Sequence, residues 1–105
     1  MTVEEAYAHY QESNYSNYRM LNDIQALESL LSVHLRPHFL AITSEDNVIN
    51  IVISHPSFVF QYMHERVSKV FSLIKNHNSD ILTRNIVVVQ PFSADEMNDL
   101  FEYWV

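Results

Sequence analysis

No glycine and no cysteine occur anywhere in the 105 residues, and basic side chains are few. Glycine supplies positive φ without steric cost and lets backbone approach a phosphate closely. Without it the chain cannot build a P-loop, a dinucleotide-binding fingerprint, a Gly-rich kinase loop or a nucleophile elbow. The GxxG clamp of RNA-binding KH domains is excluded for the same reason. The lack of cysteine removes disulfides, thiolate catalysis and Cys-based zinc or iron–sulfur ligation. Long hydrophobic runs are missing too. Ile86-Val87-Val88-Val89 is among the longest, far short of the roughly 20 residues that span a bilayer. The opening Met1-Thr2-Val3-Glu4-Glu5 is acidic, unlike a secretory leader. A cytoplasmic protein with no membrane contact is expected.

Charge is unevenly spread. Six Lys and Arg face 13 Asp and Glu, a net of −7. Residues 1–30 carry −4, residues 31–90 carry +1, and residues 91–105 carry −4 from Asp95, Glu96, Asp99 and Glu102. Phosphate binding needs clustered cations, so weak or no direct nucleic-acid contact is expected. A basic protein surface is the better electrostatic match.

What the chain does have is core material, with 48% apolar residues and no repeats. Val3, Tyr7, Tyr10 and Tyr18 suggest a first short helix, broken by the polar Ser13-Asn14 and Ser16-Asn17. A second helix follows on the stripe Leu21, Ile24, Leu27, Leu30, Leu31 and Leu35, and Pro37 ends it. Phe39–Ser44 and Val48–Ser54 read as a hairpin about Glu45-Asp46-Asn47, with Ile49, Ile51 and Ile53 facing the core. Val59, Met63, Val67, Val70 and Ile74 mark a long amphipathic helix, with Ser57 or Ser54 as its cap. The run Asn85–Gln90 predicts a third strand, parallel to its predecessor, buried on both faces and stopped by Pro91. Ser93 and Glu96 match a capping box that opens a closing helix bearing Met97, Leu100, Phe101 and Trp104.

These elements predict one α/β (α+β) fold in the order α-α-β-β-α-β-α. A three-stranded mixed sheet carries helices mainly on one face. Residues 1–20 form an N-terminal helical extension, and residues 21–105 form the single α/β domain. Ile49, Ile51, Val70, Ile74, Val87 and Leu100 are expected to be buried.

Six histidines invite a metal reading. His34 and His38 have i, i+4 spacing, but Pro37 between them ends the helix and spoils it. Ser, His and Asp are plentiful, yet no spacing places them together as a triad. The adjacent carboxylates Glu4-Glu5, Glu45-Asp46 and Asp95-Glu96 point apart or suit helix starts. No catalytic residue, metal site or cofactor is called for. The candidate partner-binding residues are Phe58 and Tyr62 beside the long helix, Arg66 and Lys69 along it, and Asp95 and Asp99 at the acidic end. A protein partner is expected, and a homodimer is compatible with the same surfaces.

Asp46-Asn47-Val48-Ile49-Asn50-Ile51-Val52-Ile53-Ser54-His55-Pro56-Ser57-Phe58, with the helix and strand after it, resembles the bacterial DciA family. That resemblance implies a KH-like domain that binds or loads the replicative helicase. The acidic balance departs from the family's basic character, as does the helix after Pro91. The chain also resembles the BolA-like family, which has a closing helix like Ser93-Ala94-Asp95-Glu96-Met97. This second resemblance implies a regulator acting with a glutaredoxin on shared iron–sulfur clusters. Its basic–His–basic motif is reduced here to Met63-His64-Glu65-Arg66. Leu82-Thr83-Arg84 stands where a further histidine usually begins the last strand.

Overall fold

The computed structural model describes the backbone of residues 3–104 and the side chains of residues 19–100. The tyrosines at positions 7, 10, 15 and 18 lie outside the described side chains, as do Glu4, Glu5, Phe101, Glu102 and Trp104.

Helix α1 runs unbroken from Val3 to Leu35. The expected break at residues 13–17 is absent, and the two predicted helices are one. Serine and asparagine cost only a few tenths of a kcal/mol each inside a helix, too little to stop one. Residues 3–20 of the expected extension lie within α1, and among the described side chains Met20 packs against the core. Pro37 does stop the helix. Arg36 takes the left-handed conformation, φ 49°, at the place where a glycine usually ends a helix.

Strands β1 (Phe39–Glu45) and β2 (Val48–Ser54) pair antiparallel across the two-residue turn Asp46-Asn47. Asp46 supplies the positive φ, 55°, which aspartate tolerates better than most residues. A 3-10 turn, Pro56–Phe60, follows, then α2 (Met63–Asn78) and α3 (Asp80–Arg84). Strand β3 (Ile86–Phe92) lies parallel to β2, as a strand–helix–strand step should. Helix α4 (Ala94–Trp104) closes the chain. The sheet order is β1-β2-β3, and the expected fold class holds. Helix α3 was not foreseen.

Alternation puts Ile49, Ile51 and Ile53 on one sheet face, all fully buried. Leu27 and Leu31 of α1, Val70 and Ile74 of α2, and Ile81 of α3 complete the core. Strand β3 is not buried on both faces as expected. Val87 and Val89 pack on the core while Ile86 and Val88 stay exposed. A run of β-branched residues satisfies strand geometry whether or not its second face is covered. Nor does Pro91 stop β3. It pairs with Ile53 inside the strand, and an edge strand can spare the missing N–H. Leu100 is exposed, and among the described residues of α4 Met97 is the buried apolar one.

Candidate functional site

The corner where β2 passes into α2, and β3 into α4, gathers most of the candidate residues. Pro56 opens the 3-10 turn, and His55 caps it. The His55 Nδ1 accepts the Ser57 backbone N–H at 3.0 Å and lies 2.7 Å from the Ser57 hydroxyl. An accepting Nδ1 leaves the proton of the neutral ring on Nε2. Burial and the nearby Lys69 ammonium depress the His55 pKa, against a backbone contact at Leu35 that raises it. The net effect favours the neutral imidazole. Lys69 Nζ donates to the same Ser57 hydroxyl at 3.4 Å. The structure thus does bring a serine and a histidine together, in a local cap two residues long.

The long helix does not begin near Val59 as the stripe suggested. The 3-10 turn ends at Phe60, and α2 starts at Met63. Three residues per turn instead of 3.6 separate the aromatics. Phe58 is fully buried in the core, whereas Phe60 is 90% and Tyr62 75% exposed. Phe58 is therefore a core residue and cannot meet a partner. Arg66 also turns inward. Its Nε donates to the Gln61 carbonyl at 3.0 Å, and its Nη1 donates to the Pro91 carbonyl and to Glu96 Oε1 at 2.7 Å. The guanidinium carbon lies 5.8 Å from the Phe58 ring centroid. Arg66 ties the 3-10 turn, β3 and α4 together. It is not a free basic contact.

Glu96 completes the predicted capping box. Its carboxylate accepts the Ser93 N–H at 2.9 Å, and the Ser93 hydroxyl accepts the Glu96 N–H at 3.3 Å. The Ser93 amide, then Arg66 and the Ser93 side chain, hold the Glu96 carboxyl down at about 2. Asp95 and Asp99 project into solvent on the same helix, and Lys69 is half-buried at Ser57. Of the six candidates, Tyr62, Asp95 and Asp99 remain at the surface. The apolar exposure at Val59, Phe60 and Met63 was hidden by the helical stripe. Pro56 and the polar Gln61 are the local signals that could have shown it.

Two further groupings have no local sequence signal. His34 stacks on His77 with ring centroids 3.9 Å apart, and does not join His38. Asp23, buried on α1, accepts from Arg84 Nη2 at 2.7 Å and from Asn85 Nδ2 at 2.8 Å. Desolvation works to raise the Asp23 pKa, but the bonds from Arg84 and Asn85, with the charges of Arg84 and Arg19, leave it lowered. Arg84→Ala should therefore move the Asp23 titration upward in a carboxyl NMR titration. An unchanged midpoint would show that Asn85 and Arg19 alone hold it down. Among the described residues no group of three or more His, Asp or Glu is placed to hold a metal ion. No helix among them is long and apolar enough to cross a membrane.

No family model and no curated protein matches the chain. Among solved structures it is similar to BolA1 from Arabidopsis thaliana, with a TM-score of 0.60 and 16% sequence identity. The match covers 70% of this chain and 94% of that one. At that identity the likeness is one of fold, and the fold is BolA-like. The comparison favours the second of the two resemblances read from the sequence. Nothing in the comparisons supports the DciA resemblance or a helicase partner.

Proposed function

We propose that this chain is a non-catalytic, BolA-like domain that works by binding a protein, with a glutaredoxin as that partner. The observation that carries the proposal is the fold match, which takes in nearly the whole of BolA1. The closing helix, fixed by Ser93 and Glu96, agrees with it. The polar groups at the corner favour a binding role over a reactive one. The His55 Nδ1 caps a turn, Arg66 is spent on Gln61, Pro91 and Glu96, and Glu96 on Ser93 and Arg66.

The BolA-like resemblance also implies a shared iron–sulfur cluster, and the residues present do not fit that part. At the start of α2 only His64 is available, exposed and stacked on Tyr62 at 5.9 Å. At the approach to β3 stands Arg84, a cation engaged by Asp23, where an imidazole ligand would be needed. Binding would therefore rest on protein–protein contacts. Mixing the chain with cluster-loaded glutaredoxin should give a stable complex and leave the visible spectrum unaltered. A shifted spectrum that disappears in His64→Ala would show instead that the chain contributes a ligand.

A further inference from the structure

Val59, Phe60, Tyr62 and Met63 stand exposed at the corner between β2 and α2. Aromatic side chains held in water so close together are the usual anchors of protein interfaces. Their backbone is held from beneath. Arg66 grips the Gln61 carbonyl, the Gln61 N–H donates to the Phe58 carbonyl at 3.2 Å, and Phe58 is sunk in the core. The ridge is thus set before any partner arrives, which lowers the ordering cost of binding.

Its surroundings are acidic. The Arg66–Glu96 pair at 2.7 Å brings the start of α4 beside the start of α2. Glu65, Asp95 and Asp99 are exposed on those two helices. The cations close by are committed: Arg66 is buried in its pair and Lys69 is held at the Ser57 hydroxyl. We infer that this ridge is a docking surface for a protein segment bearing an apolar anchor flanked by Lys or Arg. The inference rests on the protein-binding reading above and adds the chemistry of what is bound. A nucleic acid is a poor occupant, since its phosphates would meet the carboxylates.

The probe is a labelled amphipathic peptide with Leu and Phe on one face and Lys flanking them, titrated with the full chain by fluorescence anisotropy. The wild type should bind it, and Phe60→Ser should weaken binding about tenfold or more. Joint Asp95→Asn and Asp99→Asn should slow association, with the difference gone at about 1 M salt, where the Debye length is only about 3 Å. Glu96 is left intact because it caps α4. Phe60→Ser should melt with the wild type, so lost binding is not lost folding. Equal binding of the peptide with Glu in place of Lys would overturn the inference, and so would unchanged binding by Phe60→Ser. A wild-type dimer that Phe60→Ser converts to monomer in light scattering would make a second copy the occupant, and would also overturn it. Titrating both chains with apo-glutaredoxin separates the two readings. Glutaredoxin binding that survives Phe60→Ser overturns the docking surface and keeps the partner. Loss of peptide binding in the variant, with no glutaredoxin binding by either chain, keeps the surface and removes the partner.

Discussion

Phe58→Ala should destabilise the protein by about 3–5 kcal/mol, the range for emptying a buried phenylalanine site. Phe58 is among the largest fully buried side chains, and it packs beneath the Arg66 guanidinium and 5.6 Å from the His55 ring. In a domain of this size that loss lowers Tm by about 10 °C or more. Phe60→Ala, two residues away, should change stability by no more than about 0.5 kcal/mol, as surface substitutions generally do. Thermal unfolding followed by circular dichroism decides the matter. Equal effects of the two substitutions would mean that the 3-10 turn at Pro56–Phe60 is misplaced.

Glu96→Ala should cost about 1–3 kcal/mol, because it removes a helix cap and strips a buried guanidinium of its carboxylate. Arg66 keeps only its carbonyl partners at Gln61 and Pro91. The Glu96 side chain is 42% exposed, so the loss stays below that of a fully buried pair. Glu96→Gln should cost less, since its amide oxygen can still accept from Ser93. The difference between wild type and Glu96→Gln depends on pH in a defined direction. The carboxyl is depressed from 4.5 to about 2 in the folded chain. Its stabilisation is therefore complete above about pH 4.5 and is lost as the pH falls toward 2. The two melting curves should converge across that window. A gap that stays constant down to pH 2 would show that charge plays no part.

Much of the scaffold was legible because it is governed by local chemistry. The alternation of Ile49, Ile51 and Ile53 fixed their common face, Pro37 fixed the end of α1, and Ser93-x-x-Glu96 fixed the start of α4. Each rule acts within a few residues. The failures occurred where local rules compete or fall silent. Ser13-Asn14 and Ser16-Asn17 looked like a break, yet their helix cost is small beside that of proline. The stripe from Val59 to Ile74 kept helical spacing through a 3-10 turn and an extended pair, so it hid that Phe58 turns into the core while Phe60 stays exposed. β-Branched residues in β3 could not say whether a second layer covers them.

The candidate site was less legible than the fold. Of the residues read as partner-binding, Tyr62, Asp95 and Asp99 lie at the surface, whereas Arg66 turns inward to Glu96. Its partner Glu96 lies 30 residues away, and Asp23 meets Arg84 across 61. Such pairs exist only once the sheet brings β3 beside β2, so no spacing rule reveals them. Pairing with Glu96 removes Arg66 from the free cations of the α2–α4 corner, where Glu65, Asp95 and Asp99 stay exposed.

We propose that the BolA-like fold serves here to bind a glutaredoxin-type protein, without chemistry of its own. Isothermal titration of the full chain with apo-glutaredoxin tests it most directly. The predicted result is a saturable one-to-one isotherm with a Kd on the order of 1 μM or tighter, which corresponds to about −8 kcal/mol. A flat isotherm would contradict the claim, provided that circular dichroism shows both proteins folded.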